Sequence, residues 1–308
     1  MAIENLPKSL ASRVVTNREA LKTLVKSHAR LASGFATSEP HTFYASIWDH
    51  IQREDLHDID IRQALFMAPH KLCLGNALSS TGLWGDFAKW IDGRSPFAGL
   101  VKQTNQVTKK LQGLGRLIEH YEELKRRNIT ITSPFIGAAT NTVIPNNTVT
   151  RALYPDYIGR NTTRMGITKM QSIHFPDAVD SMGFDPDGNP MVDTFVFAMT
   201  PPDKNGDMSH GLANGANGEI LEKAIKFKTL NVLIYVNKAY PFTRGYGDDA
   251  PNTVNVKQLE GLAKAGRLFL VEDDGKLPSL PKGALDNPAP AEVAIAQNVA
   301  NHIEAHLA

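Results

Sequence analysis

The residues best equipped for chemistry stand between two apolar runs. Thr194-Phe195-Val196-Phe197-Ala198-Met199 and Leu230-Asn231-Val232-Leu233-Ile234-Tyr235-Val236 both have strand length, and Thr200 to Gly211 between them reads T-P-P-D-K-N-G-D-M-S-H-G. This segment offers a carboxylate (Asp203), an ammonium (Lys204), a hydroxyl (Ser209) and an imidazole (His210) beside Pro202 and the permissive Gly206. In open parallel α/β sheets ligands bind outside the carboxyl ends of the strands. The segment therefore reads either as a ligand-binding loop or as a polar surface turn between strand and helix. Two further residues lie at comparable places. Ser38, in Ser38-Glu39-Pro40, is either a strand-end hydroxyl or an N-cap for a helix beginning near His41. Arg244, in Pro241-Phe242-Thr243-Arg244-Gly245, is either a fork for a carboxylate or phosphate or a surface partner of Asp248 or Asp249.

Other constellations carry less. Gly211, Gly215 and Gly218 match neither G-x-G-x-x-G nor G-x-x-x-x-G-K-[ST], so they ease a turn into a helix rather than mark a nucleotide site. The ten histidines contain no H-E-x-x-H, and His302 and His306, four apart, have no third ligand near them in sequence. No metal is expected. Cys73 stands between Leu72 and Leu74, the setting of a small buried apolar residue rather than a nucleophile.

The elements that must position these residues follow an α/β pattern. Thr16-Asn17-Arg18-Glu19 is a capping box, and behind it Leu21, Leu24, Val25, His28 and Leu31 share a helical face up to Ser33-Gly34. Phe35 to Pro40 reads as a short strand and loop, His41 to Arg53 as a helix, and Asp58 to Met67 as a strand entering the core. Residues 76–105, with Trp84 and Trp90, read as an excursion, followed by a helix from Val107 to Arg127 and a strand at Ile129–Thr132. Residues 134–191 read as mostly irregular, punctuated by the turn Asp185-Pro186-Asp187-Gly188. Strand 194–199, helix 219–226 and strand 230–236 make a βαβ unit, extended by helix 257–265 and strand 267–271. The expected fold is thus α/β, a mostly parallel sheet with helices on both faces.

With 308 residues, 42% apolar and 21% charged, the composition is globular. Thirty-three basic against 32 acidic residues leave +1, which gives no driving force toward nucleic acid or anionic lipid. One cysteine rules out an internal disulfide and suits a reducing cytoplasm. No run reaches the ~18 apolar residues of a membrane span, and no signal peptide is recognisable. Residues 1–271 are read as one domain. Residues 272–308 are read as a proline-punctuated linker and a helix with Ile295, Val299, Ile303 and Leu307 on one stripe, which has no stop signal and leads on to further polypeptide.

These stretches resemble the amino-terminal half of the acetyl-CoA hydrolase/4-hydroxybutyrate CoA-transferase family. The resemblance rests on Ser33-Gly34-Phe35 to Pro40, on Asp193–Gly211, which looks like the family's strand followed by S-P-P-D-x-x-G-x-x-S-x-G, and on Val232–Gly247, similar to V-N-x-x-M-P-R-T-x-G. The closing linker and helix are similar too. It implies the fold shared by CoA-transferases and sugar-phosphate isomerases, with coenzyme A or an acyl-CoA as substrate and no covalently bound cofactor. It also implies a carboxyl-terminal half or second subunit as partner, and a homo-oligomer. On the matching positions it makes Ser38, Pro202, Asp203, Gly206 and Ser209 substrate-binding residues, and Arg244, two places beyond the family's arginine position, a further candidate. Phe242 stands where the family has arginine, and 84–127 reads as an insertion. The family's glutamate nucleophile belongs to the absent half, since Glu39, Glu219 and Glu272 do not match its motif, so no catalytic residue is expected in this chain. Apart from the resemblance, the residues also fit a non-catalytic α/β module that binds a ligand or partner.

Overall fold

The computed structural model describes residues 3–34, 36–63, 70–75, 116, 119–133, 168–170, 178–185, 187–246, 250–274 and 289–307. The expectations for Trp84, Trp90 and most of the excursion and insertion lie outside these residues, as do Asp248, Asp249 and most of the linker. Among the described residues seven strands form a parallel sheet: β1 (Arg30–Ser33), β2 (Asp60–Gln63), β3 (Thr130–Ser133), β4 (Thr168–Met170), β5 (Thr194–Met199), β7 (Asn231–Asn237) and β11 (Leu268–Asp273). Their spatial order is β11-β7-β5-β1-β2-β3-β4. Two antiparallel pairs lie outside it, β6 (Asp207–Ser209) with β10 (Thr253–Asn255) and β8 (Gly245–Tyr246) with β9 (Ala250–Pro251).

Side chains alternate across a strand, and here both faces are dry. Leu31, Ile61, Ile131, Val196, Ala198, Leu233, Tyr235 and Val271 point to one core, with helices Asn17–Leu24 and His41–Arg53 and residues 119–126 over them. Ala32, Phe195, Phe197, Met199, Val232, Ile234, Leu268 and Leu270 point to the other, beneath helices Ala178–Met182, Asn217–Phe227 and Val256–Lys264. All six residues of β5 are buried. A strand covered on two faces has no polar positions to alternate, which is why β5 and β7 read as unbroken apolar runs. The fold is α/β with helices on both faces, as expected.

Helix starts follow local chemistry. Thr16 and Glu19 close the expected capping box, and Asn255 and Gln258 close another. The helix behind Thr16 is shorter than its spacing suggested: it ends at Leu24, Val25 is extended, and His28 turns the chain at φ 69°. Leu31 belongs to β1 instead. Ala29, Leu31 and Ser33 also fit a period of two, and pairing with β2 and β5 on either side decides between the two periods. Residues 36–38 form a 3-10 turn rather than a strand. Within the stretch read as irregular, Thr168-Lys169-Met170 forms the edge strand β4, and Gly188 closes the predicted turn at φ 83°. The last helix, Pro290–Leu307, leaves Val293, Ile295 and Val299 more than half exposed. Among the described residues no helix is long and apolar enough to cross a membrane.

Candidate functional site

The chain runs outward from β1 through β2, β3 and β4, returns to place β5 on the other side of β1, and runs outward again to β7 and β11. Sheet order therefore reverses between β1 and β5. At such a switch point the loops leaving adjacent strand ends diverge, and in open α/β sheets ligands bind between them. The two loops concerned are 34–40 and 200–211.

Gly34 is the hinge of the first. Its N–H donates to the Val196 carbonyl of β5 at 2.8 Å. A Cβ there would lie 2.6 Å from the Ser38 carbonyl oxygen and 2.7 Å from Phe197 Cβ, closer than such atoms approach. Gly34→Ala is therefore expected to push the loop off β5 at a cost of about 1–3 kcal/mol, read as a lowered midpoint in chemical denaturation. An unchanged midpoint would show that the loop gives way freely.

Beyond Gly34, a cluster of polar side chains fills the space between the ends of β1 and β2. Parallel pairing aligns Ser33 with Gln63, so the segments after both strands emerge side by side. Glu39 is fully buried. Its Oε2 accepts from Gln63 Nε2 at 2.9 Å, while Oε1 is in hydrogen-bond contact with His70 Nε2 and 3.3 Å from His41 Nδ1. Ser33 donates to Gln63 and accepts from the Tyr44 hydroxyl at 2.6 Å, and the Tyr44 ring stacks on His70 at 4.7 Å. Burial lowers the His41 pKa, with the Glu39 charge opposing it, so neutral imidazole is favoured. Among the described residues His41 Nε2 is buried with no hydrogen-bond partner.

The second loop is internally braced. Thr200 and Ser209 exchange hydrogen bonds across it, and β6 pairs with β10. Asp203 accepts from the N–H groups of Asp207 (3.0 Å) and Asn205 (2.8 Å), which, with Arg244, hold its pKa below the usual carboxylate range. Gly206 takes φ 85° at this turn and donates to the Asp203 carbonyl, a conformation that favours glycine. The half-exposed Arg244 pairs with Asp203 (2.7 Å) and Asp207 (3.4 Å), and its guanidinium lies over the Phe242 ring. Its fork is thus spent on two carboxylates of this loop.

The remaining predicted residues bind this loop to its surroundings. Ser209 Oγ donates to the Thr243 carbonyl at 2.7 Å and accepts from Gly211 N–H at 3.0 Å. The Pro202 carbonyl accepts from Asn5. Ser38 is fully buried and donates to the Ala213 carbonyl at 2.6 Å and the His210 carbonyl at 3.3 Å, so it ties the β1 loop to the β5 loop. Asp203, Gly206 and Arg244 come together in one turn, Ser209 joins them through Thr243, and Ser38 holds the opposite end of the loop. His210 is buried and stacked on Phe197 at 5.7 Å, and burial alone pushes its pKa down to about 4.

The cluster of Glu39, His41, Gln63 and His70 is not among the residues that the sequence singles out. The short spacing Glu39-Pro40-His41 after a strand end is a local hint. His70, however, is 31 residues from Glu39 in sequence.

No family model matches the chain, and no curated protein matches it. Solved structures do. The crystal structure of RipA from Yersinia pestis superposes with a TM-score of 0.54 at 17% identity, covering 95% of this chain and 49% of RipA. A mutant form of RipA gives a TM-score of 0.55 at 16% identity, covering 95% of this chain and 48% of that one. A 4-hydroxybutyrate CoA-transferase from Porphyromonas gingivalis superposes more loosely, with a TM-score of 0.38 at 15% identity over 87% of this chain and 41% of that one. The α/β fold of this chain is thus similar to that of RipA. The chain spans about half the length of the RipA structures it matches.

Proposed function

We propose that this chain is the amino-terminal half of a cytoplasmic acyl-CoA hydrolase or CoA-transferase, contributing one wall of the acyl-CoA cleft. The observation that carries the reading is the position of the Asp193–Gly211 motif. Its polar part follows β5, on one side of the switch point, while the loop 34–40 follows β1 on the other. The resemblance of that motif to the acetyl-CoA hydrolase/4-hydroxybutyrate CoA-transferase family supplies the substrate class.

In this reading the chain binds and orients. Asp203, Gly206 and Ser209 hold the backbone of the β5 loop in shape, Pro202 stiffens its entry, and Ser38 fixes it against the β1 loop. Arg244, half-exposed and paired with Asp203 and Asp207, braces the outer edge of that loop. In the family's chemistry a glutamate attacks the thioester carbonyl, the CoA thiolate leaves, and an acyl-glutamyl anhydride remains for the next acceptor. Glu39 does not suit that role: it is fully buried, and both its oxygens face side-chain partners. The attacking carboxylate is assigned to a carboxyl-terminal half or second subunit.

The test is turnover. The isolated chain is expected to neither hydrolyse acetyl-CoA nor exchange its acyl group, whereas turnover at an ordinary enzymatic rate, about 1–10³ s⁻¹, would contradict the division of labour. A non-catalytic partner-binding module is the second reading, favoured by the exposed Val293, Ile295 and Val299 of the last helix.

A further inference from the structure

We propose that Glu39, His41 and His70 form a binding site for a single divalent transition cation of the zinc type, a site independent of the acyl-CoA reading. One ligand atom from each residue lies within 4.8 Å of the other two. Two imidazoles and a carboxylate are the donor set of zinc sites that keep a fourth position open for water or substrate. Tetrahedral bonds of about 2.1 Å put neighbouring donor atoms roughly 3.4 Å apart, and His41 Nδ1 stands 3.3 Å from Glu39 Oε1. His70 Nε2 hydrogen-bonds directly to the same oxygen, so both rings converge on one carboxylate atom, and a bound cation would replace that hydrogen bond and part the two atoms.

The surroundings hold the donors as outer-shell partners of metal ligands do. Gln63 occupies Glu39 Oε2 and leaves Oε1 toward the two imidazoles. Ser33 and Tyr44 fix Gln63 in turn, and the Tyr44 ring lies flat on His70. The Tyr240 hydroxyl reaches the Glu39 carbonyl at 3.4 Å. Glu39 and His70 are buried and only His41 is partly open, so bulk water competes little for a bound cation.

A second group with metal-ligand spacing, His28, His57 and Asp58, lies at the surface, with side chains 75%, 54% and 37% exposed. Asp58 is already engaged by Asn128 at 2.7 Å. This group serves as the internal control.

The full chain, stripped with chelator and equilibrated with Zn²⁺ and separately with Co²⁺, decides the matter. The expected result is one Zn²⁺ per chain by elemental analysis and a tetrahedral visible spectrum for Co²⁺. Affinity should fall by at least about 100-fold in His41→Ala and His70→Ala, and by roughly 10–100-fold in Gln63→Leu. The double variant His28→Ala/His57→Ala should bind as the unaltered chain does. Absence of stoichiometric metal in the unaltered chain overturns the proposal, and that measurement needs no variant to fold. Binding that survives His41→Ala but disappears with His28 and His57 also overturns it.

Discussion

Phe197→Ala is expected to lower the unfolding free energy by about 3–5 kcal/mol, measured by denaturant titration. Phe197 is fully buried on the sheet face that carries Phe195 and Met199, stacked on Phe195 at 4.6 Å and on His210 at 5.7 Å, with Gly34 pressed against its Cβ. Truncation removes the ring and leaves a cavity between β5, the β1 loop and the β5 loop. Against a typical stability of about 5–15 kcal/mol for a folded domain, this is a large fraction. A loss under about 1 kcal/mol would mean that the neighbouring rings close over the gap and that the switch point is loosely packed.

The second large effect is acid sensitivity through His210. Its pKa in the folded chain is pushed down to about 4 from an ordinary 6.5, by burial. The unfolded chain therefore takes up a proton on this imidazole below about pH 6.5, while the folded chain refuses it until about pH 4. Stability is lost as pH falls through that window, by roughly 3 kcal/mol once pH is below about 4. His41 and His120, whose pKa values burial also lowers, add to the loss in the same direction. His210→Phe keeps a ring against Phe197 and removes the titration. Its stability should therefore decline less steeply between about pH 6.5 and about pH 4 than that of the unaltered chain, followed by denaturant titration at several pH values. Parallel acid limbs in the two proteins would show that His210 protonates in the folded state without penalty.

The sequence reveals most of what burial on two faces imposes. β5 and β7 are continuous apolar runs because both sheet faces are covered, and the helix between them carries its apolar stripe where the crossover needs it. β1 is hidden for the opposite reason. Leu24, Val25, His28 and Leu31 satisfy a helical period, and only pairing with β2 and β5, both distant in sequence, selects the extended form. Edge strand β4 is short and polar, without an apolar pattern to mark it. The β5 loop is legible as a polar segment at a strand end, but not the bracing that spends Arg244 on Asp203 and Asp207. The Glu39, His41 and His70 cluster leaves almost no trace, since its third member is 31 residues from Glu39 and no sequence pattern links the two.

In the proposed function, acyl-CoA meets this chain at the loops that follow β1 and β5. Amide hydrogen exchange of the full chain, with and without saturating acetyl-CoA, tests it most directly. Slowed exchange is expected over residues 36–40 and 200–211, with no change in the helix Val256–Lys264. Unaltered exchange in both loops, or protection confined to other parts of the chain, would contradict it.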